Sequence, residues 1–255
     1  MKTEVITLNR ERGVTLTALL QDVRGEYGFA ERPAMLVIPG GSYLMCSDRE
    51  AEPVALCYAA AGYQTFVLRY TVGKGCVWPL PLEDYEAAMQ CIQTNAEAWH
   101  IAKDKIAIVG FSAGGHLAAC AATMAKHKPA AAVLVYPVII PEQEVLPEIM
   151  KDGNPPLPLP NEQVDGNTCP CFFASARDDR TVPIRNTLVM TQALDEYDIP
   201  FESHIYAFAG HGFSTAAKHI FRGEACARAH HWVEDSIGWL NEQLGTLTRA
   251  GFQTL

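Results

Sequence analysis

Ile106-Ala107-Ile108-Val109 runs straight into Gly110-Phe111-Ser112-Ala113-Gly114, and that into an alanine-rich stretch from Leu117 to Ala125. An apolar run without polar alternation reads as a strand covered on both faces. A helix that follows so soon requires a sharp turn, and the two glycines mark where strand and helix pass too close for a Cβ. Such a segment demands a sheet with helices packed against it. The rest of the chain repeats the alternation. Val14 to Leu20 alternates like an edge strand, and residues 34–38, 64–68, 131–135, 171–174 and 201–206 read as further strands. Between them, 49–61, 82–98, 113–126, 184–197 and 217–243 read as helices. The pattern predicts the α/β class, with a mostly parallel central sheet and helices on both faces. The 255 residues are expected to form a single domain of this kind.

Charge and composition narrow the possible partners. With 20 basic against 29 acidic side chains the formal charge is −9, and no run of Lys and Arg offsets it. A phosphate backbone or an anionic membrane calls for a clustered basic surface, so neither nucleic acid nor membrane is expected as a partner. A hydrophobic fraction of 49% and a charged fraction of 19% exclude a disordered or fibrous chain. The opening stretch through Arg12 is too polar for a secretory signal, and no segment has the length of apolar run that spans a bilayer. A cytoplasmic location is the expectation. None of the eight cysteines forms a Cys-x-x-Cys pair, and Cys169-Pro170-Cys171 is too short for a zinc knuckle. They read as reduced and mostly buried thiols, with no metal or cofactor implied.

Ser112 stands at the tip of a G-x-S-x-G turn between strand and helix, where its hydroxyl is exposed above the sheet. A serine hydroxyl needs a positioned base, which in this arrangement comes late, after the last strands. His211, in Gly210-His211-Gly212, meets that condition. His116 lies only four residues after the serine, in the first turn of the helix, and is expected to pack beside the loop. An acid belongs between nucleophile and base, and Arg177-Asp178-Asp179-Arg180-Thr181-Val182-Pro183 offers two, which spacing alone does not separate. For developing negative charge, the small residues of Pro39-Gly40-Gly41-Ser42-Tyr43 leave backbone amides unobstructed, with Ala113 as the second donor. Gly41 and Ser42 are the candidates, and which amide of 40–43 completes the hole stays open. A phosphate loop is disfavoured because the Lys and spacing of one are missing.

Residues 137–167 break the rhythm with 7 of the 16 prolines. A connection of this length reads as a lid or a wall of the site, with a plain meander as the alternative. Tyr43 and Trp78 are candidates for substrate contact, Trp78 by stacking on a sugar ring and otherwise as packing. Arg69 and Tyr70 end a strand at its carboxyl edge, where sites form, with a purely structural role as the equal alternative, and Glu52 reads as solvated or ion-paired.

Taken with Ser47-Asp48-Arg49-Glu50-Ala51-Glu52-Pro53-Val54-Ala55, Gly115-His116 and Ala209-Gly210-His211-Gly212, these motifs resemble the α/β-hydrolase esterases. The nearest branch is the acetyl-xylan-esterase-like proteins, related to bacterial feruloyl esterases and hormone-sensitive-lipase-type esterases. The resemblance spans about residues 30–245. It implies the α/β-hydrolase fold, Ser112 as nucleophile and His211 as base. It favours Asp179 over Asp178, because the family's acid stands four residues before the Pro of Asp-x-x-Val-Pro. It also implies small acyl groups, often acetyl, on sugar hydroxyls, so the expected substrate is a small-molecule or oligosaccharide ester. Two other readings remain: a small serine peptidase of the same fold, and a catalytically silent binding module on it.

Overall fold

The computed structural model describes residues 1–23, 30–220 and 228–245. The strands are β1 (Lys2–Asn9), β2 (Val14–Leu20), β3 (Arg32–Ile38), β4 (Gln64–Arg69), β5 (Ile101–Phe111), β6 (Ala131–Val135), β7 (Cys171–Ala176) and β8 (Phe201–Tyr206). The helices are α1 (Glu52–Ala60), α2 (Leu80–Thr94), α3 (Ser112–Met124), α4 (Arg185–Glu196) and α5 (Trp232–Leu244). Among the described residues the strands form one sheet, in the order β1-β2-β4-β3-β5-β6-β7-β8. β1 pairs antiparallel with β2 and β2 antiparallel with β4; every other pairing is parallel.

Alternation along the inner strands divides the core between two faces. In β3, Leu36 and Ile38 join Leu117, Ala118, Tyr85 and Leu194 on the face covered by α2, α3 and α4. Met35 and Val37 join Tyr58, Phe111, Trp232 and Leu240 on the face covered by α1 and α5. Both faces are apolar, which is why these strands read as continuous hydrophobic runs rather than alternating ones.

The chain leaves β3, forms β4 on one side, and crosses back to form β5 on the other. That reversal opens a crevice at the carboxyl ends of β3 and β5, the place where open α/β sheets bind ligands. The loop after β3 and the turn after β5 both face it.

Two differences from the sequence reading concern the ends of the chain. β1 is a strand that composition did not signal, because as an edge element it keeps an exposed polar side and little of it is buried. Of the helix expected over 217–243, α5 covers residues from Trp232 onward; residues 217–220 are not helical, and 221–227, with Cys226, lie outside the described residues. Among the described residues no helix is long and apolar enough to cross a membrane.

Candidate active site

The turn after β5 is built from close backbone approaches. A Cβ on Gly110 would lie 2.4 Å from the Gly114 carbonyl oxygen, and one on Gly114 would lie 2.3 Å from the carbonyl oxygens of Ile38 and Pro39. No side chain fits either position, so the two glycines are what let α3 start directly against the sheet. Ser112 itself takes φ 51°, a left-handed conformation rare for a residue with a Cβ. The helix that follows is buried through nearly its whole length, which its alanines permit.

The Ser112 hydroxyl lies 2.9 Å from His211 Nε2. On the far side of the ring, His211 Nδ1 lies 2.7 Å from Asp179 Oδ2. The hydroxyl, the imidazole and the carboxylate therefore form one continuous hydrogen-bonded chain, assembled from the loops after β5, β8 and β7. Gly210 and Gly212 adopt φ 63° and 72° on either side of His211, so the ring is delivered by a backbone that L-residues with side chains avoid.

The two neighbouring aspartates take separate tasks. Asp179 is buried; its Oδ1 accepts the amides of Thr181 and Val182, each at 2.9 Å, leaving Oδ2 for the imidazole. Asp178 turns the other way and accepts the amides of Ala209 and Gly210 at 3.0 and 2.9 Å. Those two amides hold its carboxyl below the usual carboxylate range. Asp178 thus fastens the histidine loop, while Asp179 orients the histidine.

A cavity of about 420 Å³ adjoins the serine, lined by Gly41, Ser42, Met45, Ser47, Asp48, Arg49, Glu50, Ser112, Thr181, His211 and Gly212. The amides of Gly41 and Ser42 donate to no acceptor among the described residues, nor does that of Ala113 in the first turn of α3. A helix start leaves an amide such as that of Ala113 unpaired, while Gly41 and Ser42 line the cavity together with the serine. Gly41, at φ 127°, has no room for a Cβ, which would fall 2.1 Å from the Met45 carbonyl oxygen. The Tyr70 hydroxyl donates to the Pro39 carbonyl at 2.7 Å and steadies the loop's entry. Arg69 pairs with Asp48 at 2.9 Å and Glu52 at 3.1 Å, pinning the short 3-10 turn that follows the loop.

Tyr43 and Trp78 stand elsewhere. Tyr43 is fully buried and is not among the residues lining this cavity. Its hydroxyl lies 2.8 Å from Nδ1 of His116, whose Nε2 lies 3.1 Å from the Pro158 carbonyl oxygen. A carbonyl only accepts, so Nε2 carries the proton and Nδ1 accepts from the tyrosine. Burial lowers the His116 pKa to about 4. The Trp78 ring packs edge-on to His116 with centroids 5.8 Å apart, and it is not among the residues lining the cavity beside Ser112. Its place was marked by the Gly- and Pro-rich stretch around it, which signals a loop but not its neighbours.

Residues 137–167 begin by closing on the turn itself. The Val138 amide donates to the Ser112 carbonyl at 3.1 Å, and Gly115 is needed because a Cβ there would lie 2.8 Å from Pro137 Cα. Further on, Leu146, Ile149 and Leu157 enter the core beneath α3. None of the residues lining the cavity comes from this segment. Met45, Arg49, Glu50 and Thr181 line it without having been read as site residues, since nothing in their local spacing points at Ser112. Among the described residues no group of three or more His, Cys, Asp or Glu side chains is placed to hold a metal ion.

This geometry has counterparts among known proteins. A family profile described as BD-FAE matches residues 26–136. The chain is similar to the crystal structure of MGS-M1, an alpha/beta hydrolase enzyme from a Medee basin deep-sea metagenome library: 42% identity, TM-score 0.87, covering 96% of this chain and 99% of that one. It is also similar to the carboxylesterase Cest-2923 from Lactobacillus plantarum, at 27% identity and TM-score 0.86, covering 95% and 98% of the two chains. Against the acetylxylan esterase of Xylanibacter ruminicola it is 27% identical over 217 residues, 79% of this chain and 45% of that protein. The chain spans less than half the length of the curated relatives that it matches over most of its own.

Proposed function

The chain belongs to the alpha/beta hydrolases, and from that premise we propose that it is a serine carboxylic-ester hydrolase that removes small acyl groups, acetyl above all, from acylated saccharides. The observation that carries the reading is the unbroken hydrogen-bonded chain from Ser112 Oγ through both nitrogens of His211 to Asp179 Oδ2. The acyl and sugar preference rests on the likeness to an acetylxylan esterase.

In this reading Ser112 Oγ attacks the ester carbonyl while its proton passes to His211 Nε2. The carbonyl oxygen becomes an oxyanion facing the free amides of Gly41 or Ser42 and of Ala113; one such donor supplies about 3 kcal/mol of transition-state stabilisation. The tetrahedral intermediate collapses, the C–O bond to the alcohol breaks, and His211 returns the proton to the departing oxygen. Water then attacks the acyl-serine with the same base, freeing the acid and restoring the hydroxyl. Asp179 holds the imidazole in the Nδ1–H tautomer throughout and faces the positive charge that forms on it. A cavity of about 420 Å³ with a polar rim suits a short acyl chain with a hydrated leaving group.

The test compares wild type with Ser112→Ala on 4-nitrophenyl acetate, butyrate and octanoate, with acetate release from acetylated xylo- and manno-oligosaccharides measured alongside. The expected result is activity that favours acetate, extends to the sugars and disappears in the variant. Wild type and variant equally inert on every ester would sink the esterase reading. Activity on aryl acetates without release from the sugars would leave an esterase and remove the saccharide.

A further inference from the structure

Glu50 is a carboxylate that local spacing gives no reason to place at the site. It ends the 3-10 turn Asp48–Glu50, is only 4% exposed, and lines the cavity together with Ser112 and His211. Both of its oxygens accept. The Gly40 amide donates to Oε2 at 2.9 Å and the Tyr136 hydroxyl donates to Oε1 at 2.7 Å. A Cβ built on Gly40 would meet that Oε2 at 2.8 Å and the Ser112 Cβ at 3.0 Å, so the carboxylate stands directly behind the nucleophile's loop.

Tyr136 carries the connection onward. Its oxygen accepts the Ser214 amide at 2.9 Å, and its ring lies edge-on to the His211 ring with centroids 5.0 Å apart. The Ser214 hydroxyl donates back to the Arg49 carbonyl at 2.5 Å. One carboxylate thus ties the loop bearing Gly41 and Ser42 to the loop bearing His211.

Two neutral acceptors would satisfy those donors equally well, and burying an anion is costly unless a positive charge offsets it. The charge that forms here is the His211 imidazolium. Other groups face His211 as well: Asp179 at Nδ1, Ser112 at Nε2, Asp178 through the amides of 209 and 210, Thr181 across the cavity, and Arg49, whose guanidinium lies beside Gly212. Burial is the largest influence and leaves the Glu50 pKa raised, with the hydrogen bonds from Tyr136 and Gly40, then the nearby charges of His211 and Arg49, opposing it in part.

We propose that Glu50 is a second positioning carboxylate of the reaction: it holds the amide-bearing loop through Gly40, and its charge steadies the His211 imidazolium. The proposal rests on the Ser112–His211–Asp179 reading and adds a group outside that chain.

The test is the pH profile of kcat/KM on 4-nitrophenyl acetate for wild type, Glu50→Gln, Glu50→Asp and Ser112→Ala, each first checked for folding by circular dichroism. Glu50→Gln keeps the shape and an acceptor for Gly40 but loses the charge. It is expected to lower kcat/KM about 10- to 100-fold and to move the acid limb about one pH unit lower, since the imidazolium loses a neighbouring anion. Glu50→Asp keeps the limb where wild type has it even where kcat falls. An acid limb that stays in place in Glu50→Gln overturns the proposal, whatever happens to kcat. A second measurement needs no variant: isotope-edited infrared spectra of wild type labelled at glutamate, taken at neutral pH, are expected to lack the carbonyl band of a protonated buried carboxyl. Its presence overturns the proposal, because a neutral acid carries no charge to the ring. Ser112→Ala separates the two failures. Full activity in that variant sinks the triad reading, whereas an inactive Ser112→Ala beside an unmoved limb in Glu50→Gln sinks only the role of Glu50.

Discussion

His211 reaches the first residue of α3 from the loop after β8, whereas His116 belongs to α3 itself, and their surroundings differ in the groups that govern an imidazole. His211 stands at the cavity with a carboxylate on one nitrogen and a hydroxyl on the other. His116 is fully enclosed, with a phenol on one nitrogen and a backbone carbonyl on the other, and burial brings its pKa to about 4. The first arrangement lets a proton arrive and positive charge be compensated. The second permits neither, because no anion faces the ring and no water reaches it. What His116 gains is mechanical: through Tyr43 it grips the loop after β3, and through Pro158 it grips the long segment after β6. Residue type alone says nothing about which histidine is fitted to act as a base; the partner of the far nitrogen does.

The sharpest way to break this contrast is to remove the ring proposed as the base. His211→Ala is expected to cost a factor of about 10⁴ or more in kcat, whereas His116→Gln should retain activity within about tenfold of wild type. Initial rates on 4-nitrophenyl acetate check this, and equal losses in both variants would erase the distinction.

Next in size comes the carboxylate behind the ring. Asp179→Asn presents the wrong hydrogen-bonding face to Nδ1 and should lower kcat about 10⁴-fold. Asp178→Ala removes only a clamp on the amides of 209 and 210, so a loss of about tenfold is expected. Steady-state kinetics on the two variants decide it, and reversed magnitudes would mean that the loop, not the ring partner, governs the rate.

A smaller effect appears in stability. The His116 pKa is lowered from 6.5 to about 4 by burial, so the unfolded chain takes up this proton first as pH falls. Stability from this group is complete above 6.5 and declines between there and about 4, a loss of about 3 kcal/mol by linkage. His116→Gln can still donate to Pro158 and accept from Tyr43 but cannot titrate, so its urea-unfolding free energy should vary less over that interval. Parallel curves for variant and wild type would contradict the buried neutral ring. Least of all, Trp78→Leu should cost about 1–2 kcal/mol of stability through lost packing on His116 while KM for acetylated oligosaccharides stays within about twofold. A large rise in KM would return Trp78 to the substrate.

The inner strands were legible because their signal is local. Each of the seven segments read as strands, the edge strand β8 included, lies within an observed strand, and the Gly110–Gly114 turn sits between β5 and α3 as its glycines require. β1 escaped notice because Lys2, Thr3, Glu4, Thr7 and Asn9 interrupt its apolar residues and none of it is fully buried, so its evidence lies in its pairing with β2. Asp178 and Asp179 show the same limit inside the site. Adjacent in sequence and alike in chemistry, they differ only in which loop each faces, and without the resemblance nothing in the sequence told them apart.

The sequence by itself determined a layered α/β chain, a serine on a turn that only glycines allow, and a histidine freed by glycines late in the chain. These follow from backbone sterics and hydrophobic periodicity, which act within a few residues. Tertiary structure alone decided that Tyr43 is sealed against His116, that Glu50 stands behind the amide-bearing loop, and that 137–167 closes on the Ser112 turn through Val138. Those outcomes depend on burial and on partners distant in the chain, and such distances are set only when the sheet brings its carboxyl edges together.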